Sequence, residues 1–406
     1  MKRIDPSTPV VLLGGRENAV AVARNLGRLG VSITASGRAG CRAMNSKYCR
    51  KALPVPVGKS AHEHWSEILL SDRTLDLGGS VVFACCDESL EFVEGNRDAL
   101  KARYIVEDFI PEQRRAMLDK QKTLALARQV DVPAPLFWPV QSDDDVRKIR
   151  DEIRFPVMVK PLNSSAFAEE FGRKLFIIRE GFDEVVETVA LCRSRGHEVM
   201  VVEMIDGPDD LLSSYYTYRT PDGEHLYTYT KSVIRRWPVN RGGTSFHQSE
   251  WLPETAEAGR NLLDGLDWQG IANVEFKRDL RDGQLKLIEV NARFTAAHRL
   301  VTEAGAPIDA MIYCHLTGQP GPTFELYSQR LRQWDPIRDF LAFRQLNKLG
   351  QLSFGNWLKS ILAQKLTFPY FSLADPVPGL AEFFSIISSG LKNPVTLARK
   401  ARRNAN

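Results

Sequence analysis

The residues best suited to chemistry lie beyond the midpoint of this 406-residue chain. Asn273-Val274-Glu275-Phe276 and Leu287-Ile288-Glu289-Val290-Asn291-Ala292-Arg293 each read as a strand, and Asp282-Gly283 between them is a hairpin signal. Alternate residues of a strand share a face, so Glu289 and Asn291 point together. Pairing across the hairpin brings Glu275 beside them. Two carboxylates and an amide oxygen, flanked by the cation Arg293, make a hard oxygen set suited to Mg²⁺ bridging phosphates. The plainer alternative is a charged solvent face. An amide interleaved with acids and Arg, on a strand whose other side is apolar, argues for the metal.

Other segments are less specific singly. Lys160 ends the apolar strand Phe155–Lys160, where a cation can reach a phosphate or simply snorkel to water. Val201-Val202-Glu203-Met204-Ile205-Asp206-Gly207, followed by Asp209 and Asp210, is an apolar run ending in an acid, a turn and more acids. It could contact the base and sugar of a nucleotide. Asn240–Phe246 is glycine-rich. It is expected to be a nest of backbone N–H groups in which Arg241 holds an acceptor carboxylate or acyl-phosphate; the alternative is a long hairpin turn. His298 and Arg299 open the next helix and are expected to line the same cleft, unless His298 only caps that helix. Gly14-Gly15-Arg16-Glu17-Asn18 is either a phosphate cradle or a tight turn, and lacks GxGxxG spacing. No Ser/His/Asp or Cys/His constellation competes.

The elements that must position these residues are legible in outline. VVLLGG, VSITAS and SVVFACC read as buried parallel strands separated by helices, with Asp87 just past the last strand, which implies a doubly wound layer over roughly residues 1–110. Residues 111–155 read as a helical connector: one helix opens at Asp119-Lys120 and runs to Gln129, and a second starts near Ser142-Asp143-Asp144. From 155 to 291 short strands dominate, covered by helices near 181–194 and 254–266. Residues 326–406 read as helices with aromatic interruptions.

Composition sets the bounds. Apolar residues at 43% and charged residues at 26% are ordinary globular values. A net charge of +4 is too balanced for nucleic acid as the main partner. The charge is uneven: residues 331–406 carry eleven Lys/Arg against four Asp/Glu. That basic end suits either a helical appendage packed on the body or docking on an anionic membrane surface. No apolar stretch is long enough for a spanning helix. The six cysteines form no metal-binding pattern and read as core thiols in a reducing cytoplasm.

Taken together, DKQKTLALARQVDVPAP, FPVMVKP, VVVEMIDGPDD, NVEF and LIEVNAR stand in the order and spacing of the ATP-grasp superfamily, which the chain resembles over roughly residues 1–325. Within it, the chain looks most like carboxylate–amine ligases related to D-aspartate ligase and to carbamoyl-phosphate-synthase-type modules. The resemblance implies an α/β and α+β protein. Its Rossmann-like pre-ATP-grasp domain would span 1–115, a two-lobed ATP-grasp domain 116–325, and a helical basic C-terminal extension 326–406. It implies ATP and Mg²⁺ (or Mn²⁺) as cofactors and small carboxylate and amine substrates, with an amino acid or a cell-envelope precursor as the expected kind. The thiols and the basic end, by composition, give a cytoplasmic protein, with peripheral contact at the inner membrane face as the alternative. Lys120 and Lys160 match lysines on the ATP phosphates, with Lys231 adding another contact. Glu203 matches the hinge acid near the adenine amino group. Ile205 offers backbone groups to the ring, and Asp210 stands for the acid on the ribose. Glu275, Glu289 and Asn291 match the metal ligands, and Arg293 matches the arginine facing the transferred phosphate. One departure is Leu162–Phe167: many relatives carry glycines over the phosphates there, whereas here none comes before Gly172, and Arg173 or Lys174 would assist. A non-catalytic nucleotide-binding or assembly protein on the same fold, and a dehydrogenase using the first 110 residues, are the competing readings.

Overall fold

The computed structural model describes residues 4–71, 76–162, 167, 170–322, 327–362 and 365–392. The first layer is a parallel sheet of β1 (Val10–Leu13), β2 (Ile33–Gly37), β3 (Cys49–Pro54), β4 (Val81–Ala84) and β5 (Ile105–Val106), in the order β3-β2-β1-β4-β5. Val10–Leu13 is wholly buried, as expected of a central parallel strand with helices on both faces. The helix Glu17–Arg28 packs Ala19, Val22, Ala23 and Leu26 inward, and Gly30, at φ 95°, follows its end. Gly14 and Gly15 have φ of 67° and 81°. A Cβ on them would sit 2.4 Å from Cys86 Sγ and 2.6 Å from Cys85 Cβ. These glycines let the turn pass close over the end of β4, and the turn's Arg16 bonds Glu382 at 3.1 Å. Packing therefore accounts for them as a tight turn. All six cysteines are unpaired thiols.

A second, four-stranded antiparallel sheet comprises β6 (Phe137–Val140), β7 (Val157–Pro161), β8 (Phe176–Ile178) and β9 (Val199–Glu203), in the order β6-β9-β7-β8. The helix Lys120–Gln129 starts where the sequence predicts, because the Asp119 carboxylate accepts from the backbone N–H groups of Gln121 (2.9 Å) and Lys122 (3.2 Å). Strand β6 is a correction to the helical connector expected over 111–155. Pro139 hides it from a propensity reading, yet proline is tolerated on an edge strand, and β6 is at the edge.

The third sheet holds β10 (Leu212–Arg219), β11 (Tyr229–Trp237), β12 (Gly243–Ser249), β13 (Gly270–Arg278), β14 (Leu285–Asn291), β15 (Arg332–Trp334) and β16 (Leu366–Thr367), in the order β14-β13-β10-β11-β12-β15-β16. Two expectations change here. Gly243–Phe246, read as the second half of the glycine-rich loop Asn240–Phe246, belongs to β12, a strand paired to β11. The segment 326–406, read as helical, also supplies β15 and β16 to this sheet. It is bound inward by buried ion pairs. The Asp339 carboxylate accepts from Arg235 Nε (2.7 Å) and Nη2 (2.9 Å), and the Asp375 carboxylate accepts from Arg24 Nε at 2.9 Å. Its last described helix, Val377–Lys392, leaves Leu380, Phe383 and Phe384 exposed. The basic residues from 399 to 403 lie outside the described residues. Among the described residues no helix is long and apolar enough to cross a membrane.

Candidate active site

One cleft of about 360 Å³ lies between the second and third sheets. Its floor is written in the register of the third sheet. Glu289 on β14 opposes Glu275 on β13, Glu275 opposes Ser214 on β10, and Ser214 opposes Lys231 on β11. Directly paired residues share a face, so these four side chains form one row. Two residues along, Asn291 opposes Asn273, which opposes Tyr216. The glutamates are thus neighbours on one face, and Asn291 Nδ2 donates to Glu289 Oε1 at 3.4 Å. A bulge at Ile288 separates this register from the rest of the hairpin and turns Ile288 into the cleft.

Of the residues singled out from sequence, Lys120, Lys160, Ile205, Lys231, Arg241, Glu275, Glu289, Asn291 and Arg293 line this cleft. Lys120 Nζ donates to Leu162 O at 3.1 Å. Burial and the neighbouring Lys160 lower its ammonium to about 8. Burial likewise lowers Lys160 and Lys231. Burial and the facing Glu289 raise Glu275. Burial pushes Glu289 upward, but Lys160, Lys174, the Asn291 hydrogen bond and Lys120 together hold it below its ordinary range. The pair titrates as a unit, with the first proton on Glu275. The donor set fits a hard dication: two adjacent, mutually repelling carboxylates and an amide, with cations around them. No group of three or more His, Cys, Asp or Glu that could bind a metal occurs among the described residues, so phosphate or water oxygens would complete the shell.

Arg293 lines the cleft while its guanidinium is gripped from the first layer: Nε and Nη2 donate to the Asp87 carboxylate at 2.6 and 3.4 Å. Asp87 stands just past the carboxyl end of β4, where open α/β sheets present their ligand-facing residues.

The remaining candidate residues lie as follows. The Glu203 side chain is not on the cleft wall: it pairs with Arg281 at 2.9 Å and accepts from Leu136 N–H at 3.2 Å. Ile205 is on the wall, but its carbonyl already accepts from Lys277 Nζ at 2.9 Å. Asp210 is exposed and off the cleft. Its neighbour Asp209 is buried and accepts from Arg236 Nε (2.7 Å) and Asn240 N–H (2.8 Å). The anion nest is absent: the N–H groups of Arg241 and Gly242 donate to Pro238 O, that of Asn240 donates to Asp209, and β12 begins at Gly243. His298 and Arg299 do begin a helix, yet neither lines the cleft. His298 is 1% exposed, packs at a tilt against Phe294 and faces Asp309 at 3.1 Å, while Arg299 donates to Phe368 O at 2.6 Å. Of the segment expected over the phosphates, Asn163–Ala166 lies outside the described residues, and Lys174 lines the cleft.

Residues not singled out from sequence complete the wall, among them Tyr216, Arg236, His247, Lys277 and Thr295. Lys277 was findable, because it continues the alternation Asn273, Glu275, Lys277. Arg236 was not. Register shifts between Val233 and Arg236 break the alternation, sending Arg235 to Asp339 and Arg236 to the cleft.

No protein-family model matches the chain. It is 23% identical over 235 residues to D-aspartate ligase of Enterococcus faecium, covering 55% of this chain and 56% of that one, so it spans little more than half of that relative's length. Among solved structures it resembles an ADP complex of N5-carboxyaminoimidazole ribonucleotide synthetase (TM-score 0.60, 15% identity, 80% of this chain and 81% of the other). It also resembles the biotin carboxylase domain of Hydrogenobacter thermophilus 2-oxoglutarate carboxylase, in complex with MgADP, ADP and bicarbonate (TM-score 0.58, 19% identity, 79% and 71%). The resemblance to the ATP-grasp superfamily drawn from the sequence holds in the fold.

Proposed function

We propose that this ATP-grasp fold is an ATP-dependent carboxylate–amine ligase, which activates a carboxylate as an acyl-phosphate and joins it to an amine. The observation that carries the reading is the register of Glu275 opposite Glu289, with Asn291 beside them and Lys160 and Arg293 on the same cleft. The two relatives solved with ADP lend support, since a nucleotide in this fold then has precedent. In the same reading the chain divides at about 115 and 325, and the six unpaired thiols fit a cytoplasmic protein.

The chemistry follows from charge. A carboxylate is repelled by a triphosphate. Lys120, Lys160 and Arg293 neutralise the phosphate oxygens, most strongly as charge spreads over the transferred phosphoryl group. A divalent cation held by Glu275, Glu289 and Asn291 adds neutralising charge to the same oxygens when bound. The substrate carboxylate oxygen attacks the γ-phosphorus and ADP leaves. The amine nitrogen then attacks the acyl carbon, loses a proton, and phosphate leaves. No side-chain nucleophile is required.

The test is a screen of small carboxylic acids paired with amines, read as ADP release and by mass spectrometry of the product. An amide formed with one ADP per bond supports the proposal. ATP binding with no ADP release from any pair would favour the non-catalytic reading instead.

A further inference from the structure

His247 on β12 is 3% exposed and lines the cleft. Its register partner on β15 is Gln333, whose Nε2 donates to His247 Nε2 at 3.4 Å. That amide is fixed from two sides: Leu300 N–H donates to Gln333 Oε1 at 3.0 Å, and Nε2 donates to Ala296 O at 2.9 Å. With Nε2 accepting, the imidazole proton resides on Nδ1. Nδ1 is buried and has no partner among the described residues. A buried polar atom without a partner is uncommon enough to need a reason. Burial, with Lys231 and Arg338 nearby, pushes the imidazole well below its ordinary range, so the ring is a neutral donor.

Its place in the cleft says what meets it. Lys277 ties the hinge carbonyls of Ile205 and Gly207, at 2.9 and 2.5 Å. His247 is three strands away across β13, β10, β11 and β12, about 14 Å at ~4.8 Å per strand. Gln333 instead joins it to Ala296, a cleft residue in the segment that follows Arg293. Of the eight lysines and arginines on the cleft, Arg236 and Arg293 are paired to Asp209 and Asp87; the other six stand against two carboxylates, and with a divalent cation that is still more positive charge than a triphosphate calls for. A second anion therefore fits beside the nucleotide.

We propose that His247 is a specificity-determining residue of the cleft: its Nδ1–H, locked by Gln333, hydrogen-bonds a carboxylate oxygen of the acid substrate rather than any atom of the nucleotide. The proposal rests on the ligase reading, and its test separates the two. Thermal stability is measured for wild type, His247→Gln and His247→Phe, first with MgADP, then with MgADP plus each of a panel of small carboxylic and amino acids. The expected result is that MgADP stabilises all three proteins. One acid adds a further shift in wild type and His247→Gln, and that shift vanishes in His247→Phe. In turnover with that acid, the Phe variant shows a KM for the acid at least tenfold higher and a KM for ATP within twofold of wild type. The His247 proposal is overturned if the acid-dependent shift survives in His247→Phe, if no acid adds to the MgADP shift of wild type, or if the KM for ATP rises as much as that for the acid. A wild type that MgADP fails to stabilise would overturn the nucleotide-dependent reading itself. Because His247→Gln keeps an N–H donor of similar reach, its behaviour separates loss of the hydrogen bond from damage to the fold.

Discussion

Glu275 and Glu289 are adjacent, half-buried anions on the cleft floor, an arrangement that is costly unless something positive sits between or around them. Lys160, Lys174 and Lys231 supply part of that charge, and a dication would supply the rest. The lysines carry a measurable consequence. Lys120, lowered to about 8, is about half protonated at pH 8 in the nucleotide-free protein, and phosphates placed beside it favour the charged form. Nucleotide binding near pH 8 should therefore take up protons, and affinity should weaken as pH rises from 8 to 9.5. Calorimetry in buffers of different ionisation enthalpy reads this directly, and Lys120→Met should remove most of the uptake. Arg293→Ala should lower turnover about 10²–10³-fold if the guanidinium faces the transferred phosphoryl group, with folding retained. At this scale the sequence was informative wherever strict alternation held, as for Glu275, Glu289 and Asn291. It gave no sign of where Glu203, Asp210 and His298 sit: Glu203 and His298 have partners of their own, and Asp210 is exposed off the cleft. Neither the pull of Arg281 on Glu203 nor that of Asp309 on His298 can be read from local spacing, because each partner is remote along the chain or on another element.

Among the elements, β11 does the most positioning. Its register shifts between Val233 and Arg236 put consecutive arginines on opposite duties: Arg235 bonds the fully buried Asp339, and Arg236 lines the cleft and bonds Asp209. Asp339 also accepts from the indoles of Trp334 (3.0 Å) and Trp357 (2.9 Å), so one carboxylate joins β11, β15 and the helix Phe354–Leu362. Asp339→Ala should cost about 3–5 kcal/mol of stability, because it leaves Arg235 buried without its partner. Chemical denaturation at neutral pH checks this, and a loss under 1 kcal/mol would mean that the bulge is held by other contacts. Strands with a clean apolar pattern, alternating in β7 and continuous in β9, were legible. β12 was not, because its opening Gly243-Thr244-Ser245 has turn composition. Gly242 is fixed by a close backbone approach, since a Cβ there would lie 2.0 Å from the Trp237 carbonyl carbon.

For the whole molecule, the second and third sheets enclose the cleft, and segments far apart in sequence brace its walls. Arg293 reaches Asp87 in the first layer, and Gln333 supports His247. Asp375 joins Arg24 while also accepting from Ser46 Oγ (2.8 Å) and Lys47 N–H (2.9 Å). The C-terminal segment is therefore part of the body's packing, which its helical and aromatic composition did not reveal; two- and three-residue strands leave almost no pattern. Asp375→Ala should destabilise by about 3–5 kcal/mol, read as a lowered Tm, and removal of residues 332–406 should prevent a cooperative thermal transition. A truncated chain that melts cooperatively near the wild-type Tm would mark the segment as dispensable. The most direct test of the central claim is Mn²⁺ binding followed by electron paramagnetic resonance, with ADP present, for wild type and Glu275→Gln/Glu289→Gln. The account predicts ADP-dependent Mn²⁺ binding in wild type, weakened at least tenfold in the double variant while the protein stays folded. Equal Mn²⁺ affinity in both proteins would contradict it.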